Sequence, residues 1–323
     1  MIMRENGATA ATKIGQPKKI NQRKKSRGIF YVCMVALPLL QFCVMYIYVN
    51  FNSILLSFQE YTANVGKLGY TIKFAGLKNY LVALGAIEKR MYMLKNSLEV
   101  FFWSTIVGIT LALVFSFYLY KNYCGSSLFK VILFMPQIIS SVVFALLFKY
   151  MVSDVYKEIY EMITHNKTLG LLDNNDTRFP TILFFNVWIG FGVNVMLFSG
   201  SMSGINESVV ESAHLDGVNL IQEFWYITIP MIYPTLVTFI VVGLAGIFTS
   251  QAHLYTLFAS SADTVSTYGY FMYVQTLKAD VTTNINNMSY PELSAMGLMM
   301  TAVVFPLTVG VRKLLEKFGP SVE

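Results

Sequence analysis

Charged residues divide this chain into unusually long apolar pieces. Intervals free of Lys, Arg, Asp and Glu run over 28–59, 100–120, 131–148, 179–206, 224–262 and 293–311. Each holds about the 20 apolar residues that carry a helix across a bilayer with its backbone polar groups bonded internally. Six membrane spans are therefore predicted, near 30–56, 98–120, 131–150, 180–200, 231–252 and 293–312. Buried helices of a large soluble core would need amphipathic helices to cover them, yet only polar loops separate these intervals. Composition agrees, since 13% of residues are charged and 55% hydrophobic, against roughly 25% charged in ordinary soluble domains. The first interval is too long for a signal-peptide core and lacks a small-residue cleavage site, so it is expected to stay as a helix.

Lys and Arg in the short flanks set the orientation. Arg4, Lys13, Lys18, Lys19, Arg23, Lys24, Lys25 and Arg27 precede the first span, and Arg312, Lys313 and Lys317 follow the last. Both ends are thus expected on the cytoplasmic side, leaving 13 basic residues inside and 10 outside, with Lys149 at a boundary. The first outer loop, with Lys67, Lys73, Lys78, Lys89, Arg90 and Lys95, runs against that rule. The tail, residues 1–28, reads as a solvated segment drawn to anionic lipid, with no aromatic interleaving to suggest nucleic acid. Residues 29–323 form the membrane domain.

Cys33, Cys43 and Cys124 give no disulfide framework, and His165, His214 and His253 have no Cys or carboxylate partner at metal-ligand spacing. No HExxH, GxSxG or GxxxxGK[ST] motif occurs. The chain is therefore not expected to be an enzyme or to bind a cofactor or metal of its own.

The stretch ESAHLDGVNLIQEFWYITIP, from Glu211, stands between the fourth and fifth spans. Asn206 and Ser208 offer capping side chains, and a helix is expected to run to about Asp216. Gly217 can take a positive φ and end it, and Asn219 can cap a second short helix. Leu220, Ile221, Phe224 and Trp225 then share a face, and Pro230 begins the next element. Residues 201–230 contain no Lys or Arg, unlike the polar face of a helix resting on lipid. A protein partner with a basic, apolar-floored cleft suits that composition.

This pattern, Glu211-Ser212-Ala213, Asp216-Gly217, Phe224, Ile227-Thr228-Ile229-Pro230 and Pro234, resembles the EAA loop of inner-membrane permeases of binding-protein-dependent ABC importers, and within them the maltose-transporter-type carbohydrate permeases. LKNYLVAL from Leu77, KNSLEVFFWS from Lys95, the stretch 126–150 and YPELSAMGLMM from Tyr290 extend the resemblance over nearly everything after the tail. Ser212 and Ile229 replace the usual alanine and leucine. The resemblance implies an all-α, six-span type I importer permease in the bacterial cytoplasmic membrane. It also implies that 201–230 is the coupling loop docking in a cytoplasmic ATPase dimer that uses ATP and Mg. Glu211 would pair with a basic ATPase side chain, Gly217 would be the bend, and Ala213, Asp216, Phe224, Ile227 and Pro230 would complete the coupling residues. A second permease subunit and an extracytoplasmic solute-binding protein, seated on loops 57–97, 151–179 and 253–292, are the other implied partners, with membrane lipid around the spans.

The spans lack the interior ionisable residues of an ion-coupled secondary transporter, and their polar inventory is neutral. Gln137, Asn186, Asn194, Thr249, Ser250 and Gln251, with Gly246 on a thin helix face shared with Gly243, are the substrate-path candidates. Ser140, Ser141 and Trp188 belong to the same inventory. Interhelical hydrogen bonding is the alternative role for the polar ones, and close helix packing for the glycines. A neutral sugar or oligosaccharide is the expected cargo; the alternatives are an ABC permease for another solute, such as a glycerol phosphate, and a secondary transporter.

Overall fold

The computed structural model describes residues 18–63, 70–279 and 288–320. Residues 1–17 of the basic tail, 64–69 of the first expected outer loop and 280–287 of the last lie outside the described residues. The chain divides into two units, residues 1–55 and 56–323. The first contains most of helix α1, helical from Lys18, with its apolar part Phe30–Ser57.

The second unit opens with a hairpin that the sequence reading lacked. Strands β1 (Gln59–Ala63) and β2 (Tyr70–Phe74) pair antiparallel, Gln59 opposite Phe74. The buried Asn79 amide in the short helix α2 (Lys78–Glu88) donates to the carbonyls of Ser57 (2.8 Å) and Gln59 (2.9 Å), fixing the hairpin's root. Then come α3 (Met91–Tyr120), α4 (Ser126–Ile138), α5 (Ser141–Thr164), α6 (Asn175–Ser203), α7 (Glu207–Leu215) and α8 (Leu220–Ala245). Short α9 (Leu254–Phe258) and α10 (Tyr268–Lys278) lead to α11 (Tyr290–Phe318). Among the described residues, α1, α3, α6, α8 and α11 are long and apolar enough to cross a bilayer, and at most a third of each apolar window is buried. Their remaining apolar faces look outward, as lipid-facing helices must.

The third expected span, 131–150, is not one rod. α4 and α5 meet at 99°, and counting that bent pair as one gives six. Ile139 and Ser140 are extended (ψ 142° and 130°), and Pro136 in the last turn of α4 cannot donate to the helix ladder. α6 holds the broken end closely: a Cβ on Gly192 would collide with the Leu133 carbonyl oxygen, so only glycine admits this approach.

The fifth span also differs from 231–252. α8 begins at Leu220, because the second short helix of the loop runs straight into it, and it stops at Ala245. A widened turn over Phe224–Thr228 precedes Pro230, at the point where proline's missing N–H would interrupt a regular ladder. Ile247 and Phe248 prolong the apolar run, but the chain turns at Gly246 and they pack into the core instead. A core of Ile109, Leu113, Val195, Phe198 and Ile232 joins α3, α6 and α8, while Leu244, Phe248, Tyr268 and Met296 join α8, α10 and α11.

Candidate functional site

Two places gather the candidate residues. The first is the loop 201–230. The Asn206 side chain accepts from Ser208 N (3.1 Å) and starts α7, whose Glu211 is exposed. Val218 N donates back to the Ala213 carbonyl (3.1 Å), and Asp216 ends the helix. Gly217 takes φ +80°, and the space where a Cβ would stand is open, with nothing within 4 Å. Asn219 and Gln222 then exchange side-chain and backbone hydrogen bonds at 2.9 Å in a capping box. This places Asp216, Gly217, Val218, Gln222, Tyr226 and Ile227 around a groove of ≈ 390 Å³. Leu215, Ile221, Trp225 and Tyr226 are all exposed beside it, Leu215 at 90%. An acidic helix with an apolar ridge thus projects from the end of the bundle.

One acid of the stretch 201–230 is held inside. Glu223 is not on the surface: it is fully buried, ion-paired to Lys121 just beyond α3, and 2.9 Å from His214 Nε2. Phe224 packs edge-on against Phe117 (centroids 5.1 Å apart), and Pro230 is half-buried at the start of the regular part of α8.

The second place is a cavity of ≈ 330 Å³ among α3, α6, α8 and the turn after α8. Its size is at the lower end for small-molecule sites. Of the expected path residues, Asn186, Gly246 and Ser250 line it. Asn186 Nδ2 also donates to Ala252 O (3.1 Å) and Ile182 O (2.8 Å), tying α6 to the turn. Gln137, Asn194, Thr249 and Gln251 are not on its wall. Gln137 donates to the Ile189 carbonyl and so clamps α4 to α6, while Asn194 lies one helical turn beyond Gly190, near the wall but not in it. Thr249 and Gln251, like Ser250, stand beyond the helix, in the turn and not in a span. Thr267 Oγ1 donates to Ser250 O (3.0 Å), and Gly269 meets that same carbonyl too closely for any Cβ, so α10 pins the turn.

Ser97, Ser104, Thr105 and His253 also line the cavity, and the sequence reading missed them in this role. Ser97, Phe101 and Ser104 recur at helical spacing on α3, a signal present in the sequence. Ser104 Oγ is buried without a hydrogen-bond partner among the described residues. His253, in the turn outside the spans, has its pKa pushed below the ordinary 6.5 by burial, so its ring is held neutral. It stands edge-on to Phe185, 5.5 Å between centroids. No Lys, Arg, Asp or Glu lines this cavity among the described residues.

Comparison with known proteins bears on the family and the fold. Residues 82–323 match the model of the family described as binding-protein-dependent transport system inner membrane component. The arabinooligosaccharides transport system permease protein AraP of Bacillus subtilis (strain 168) is 24% identical over 86% of this chain and 86% of its own. The multiple sugar-binding transport system permease protein MsmF of Streptococcus mutans serotype c (strain ATCC 700610 / UA159) is 23% identical over 87% and 93%. Among solved structures, a chain of a bacterial ABC transporter involved in the import of the acidic polysaccharide alginate superposes with TM-score 0.72 at 18% identity, over 93% of this chain and 99% of that one. At that identity the likeness shows the fold, that of a type I ABC importer permease. The chain belongs to the inner-membrane components of binding-protein-dependent transport systems, as a permease subunit that serves transport without an ATPase site of its own.

Proposed function

We propose that this permease carries a neutral sugar or oligosaccharide inward, driven by a separate ATPase dimer and fed by an extracytoplasmic binding protein. The observation that carries the cargo reading is the cavity wall. Its polar groups are hydroxyls, one amide and a histidine held neutral, with no charged residue among them. Sugars are bound by hydrogen bonds to such hydroxyl and amide groups. Relatives named for arabinooligosaccharides and multiple sugars support the carbohydrate class. The alginate importer has an acidic cargo, but a carboxylated chain would find no Lys or Arg on this wall.

In this reading α7 and the turn at Gly217 form the coupling loop. Glu211 faces a basic residue of the ATPase, and the apolar ridge from Leu215 to Tyr226 fills its cleft. Closure of the ATPase dimer on ATP and Mg then draws the loop inward, and the cavity exchanges its opening between the two sides. Both termini lie in the cytoplasm, a second permease subunit completes the path, and the binding protein docks at the opposite end, on loops 57–97, 151–179 and 253–292. Uptake by the whole transporter in proteoliposomes, with radiolabelled neutral and uronic-acid oligosaccharides of equal length, tests the cargo. Neutral sugars are expected to enter; uptake of the acidic ones alone would overturn the reading.

A further inference from the structure

α8 is covalently continuous with the coupling loop, but α3 is not, although it supplies Ser97, Ser104 and Thr105 to the cavity wall. What joins α3 to the loop is a buried cluster. Glu223 has no exposed surface; one carboxylate oxygen pairs with Lys121 Nζ and the other accepts from His214 Nε2 at 2.9 Å. Lys121 is itself only 15% exposed and sits 5.7 Å from the Phe117 ring and 5.5 Å from the Tyr120 ring, so aromatic faces fix its position. Its backbone N–H still bonds to Phe117 O (3.0 Å), so Lys121 moves with α3.

We propose that Glu223 is a positioning residue that makes α7, the start of α8 and the end of α3 move as one body, so that loop motion reaches both the α3 and the α8 walls of the cavity. This rests on the coupling-loop reading above. The neighbouring Phe117–Phe224 contact is apolar and non-directional, and it can slide. The ion pair cannot part in this way, because separation leaves a buried charge without its partner. Glu223 also faces inward, away from the exposed Glu211 face, so its part is to transmit motion and not to dock. The sequence alone does not disclose it, because the partner Lys121 is distant in the chain.

The test uses the complete transporter, with ATPase subunits and binding protein, in proteoliposomes. Glu223→Gln should leave the ATPase subunit co-purifying at the normal ratio while lowering uptake per ATP hydrolysed by at least about fivefold, the lower end of measured allosteric couplings. Glu223→Gln combined with Lys121→Met removes both charges and guards against simple misfolding, and it should stay uncoupled. Exchanging the charges, Glu223→Lys with Lys121→Glu, should recover coupling above either single variant. Normal uptake per ATP in the doubly neutral variant would reduce the cluster to a packing role and overturn the proposal, as would an exchanged pair no better than the singles. Glu211→Lys serves as reference. If it retains the ATPase subunit, the docking reading fails and this proposal with it; if it loses the subunit while Glu223→Gln couples normally, this proposal alone fails.

Discussion

Thr105 and Gly243 face each other so closely that a Cβ built on the glycine would lie 2.5 Å from Thr105 Oγ1 and 2.6 Å from its Cγ2. Both residues line the cavity, so here close helix packing and the candidate path share one surface. Gly246, three residues on, has no neighbour from another helix within 4 Å of its Cβ position, and it ends α8 instead. The widened turn over Phe102–Val107 contains Thr105, and such turns recur where helices serve function.

Gly243→Ala is therefore expected to destabilise the helix pair by about 1–3 kcal/mol, the usual range for overpacking. Rotating Thr105 exchanges one short contact for another, since both its γ atoms are close. Thr105→Ala in that background should recover part of the loss. Thermal unfolding of the detergent-purified subunit, comparing the wild type with single and double variants, measures this; an unchanged transition for Gly243→Ala would show that the two helices can separate freely.

What was legible in the sequence was local. Asn206, Gly217 and Asn219 act through atoms a few residues away, so their capping and turning roles follow from residue type and spacing. The break between α4 and α5 depends on Gly192 admitting Leu133, and the burial of Glu223 depends on Lys121; both partners are distant in sequence. Ile247 and Phe248 misled in another way, because apolar residues continue the hydropathy of a span whether they face lipid or fold back into the core. Gln137 and Asn186 carry the same chemistry, yet only Asn186 reaches the cavity, and no feature of the sequence separates them.

His253 gives the turn after α8 a pH dependence with a definite sign. Burial lowers its pKa below the ordinary 6.5, so the folded protein binds fewer protons than the unfolded chain as pH falls. The contribution of a neutral ring is fully present above about pH 6.5 and is lost as pH drops from there towards the depressed folded value. Asparagine tolerates the left-handed φ of 56° at this position and does not titrate. His253→Asn is expected to flatten the stability profile as pH falls below about 6.5. Unfolding transitions of both proteins across that range decide it, and parallel profiles would remove His253 as the source.

Gly217 offers the sharpest separation between backbone strain and packing. Its φ of +80° is a conformation that a β-branched residue strongly resists, yet no atom stands within 4 Å of its Cβ position, so a larger side chain meets no clash. Gly217→Val should cost on the order of 1–3 kcal/mol through the backbone alone. Gly217→Asn, which tolerates positive φ, should cost much less. The turn holds α7 relative to α8 through Val218 N to Ala213 O and the Asn219 cap, so strain there tilts α7 while the spans keep their packing. In proteoliposomes, transport by the valine variant should fall steeply at normal insertion, with the asparagine variant close to wild type. If both variants lose only inserted protein and each surviving complex works normally, the loop is structural and the coupling role of Gly217 is refuted.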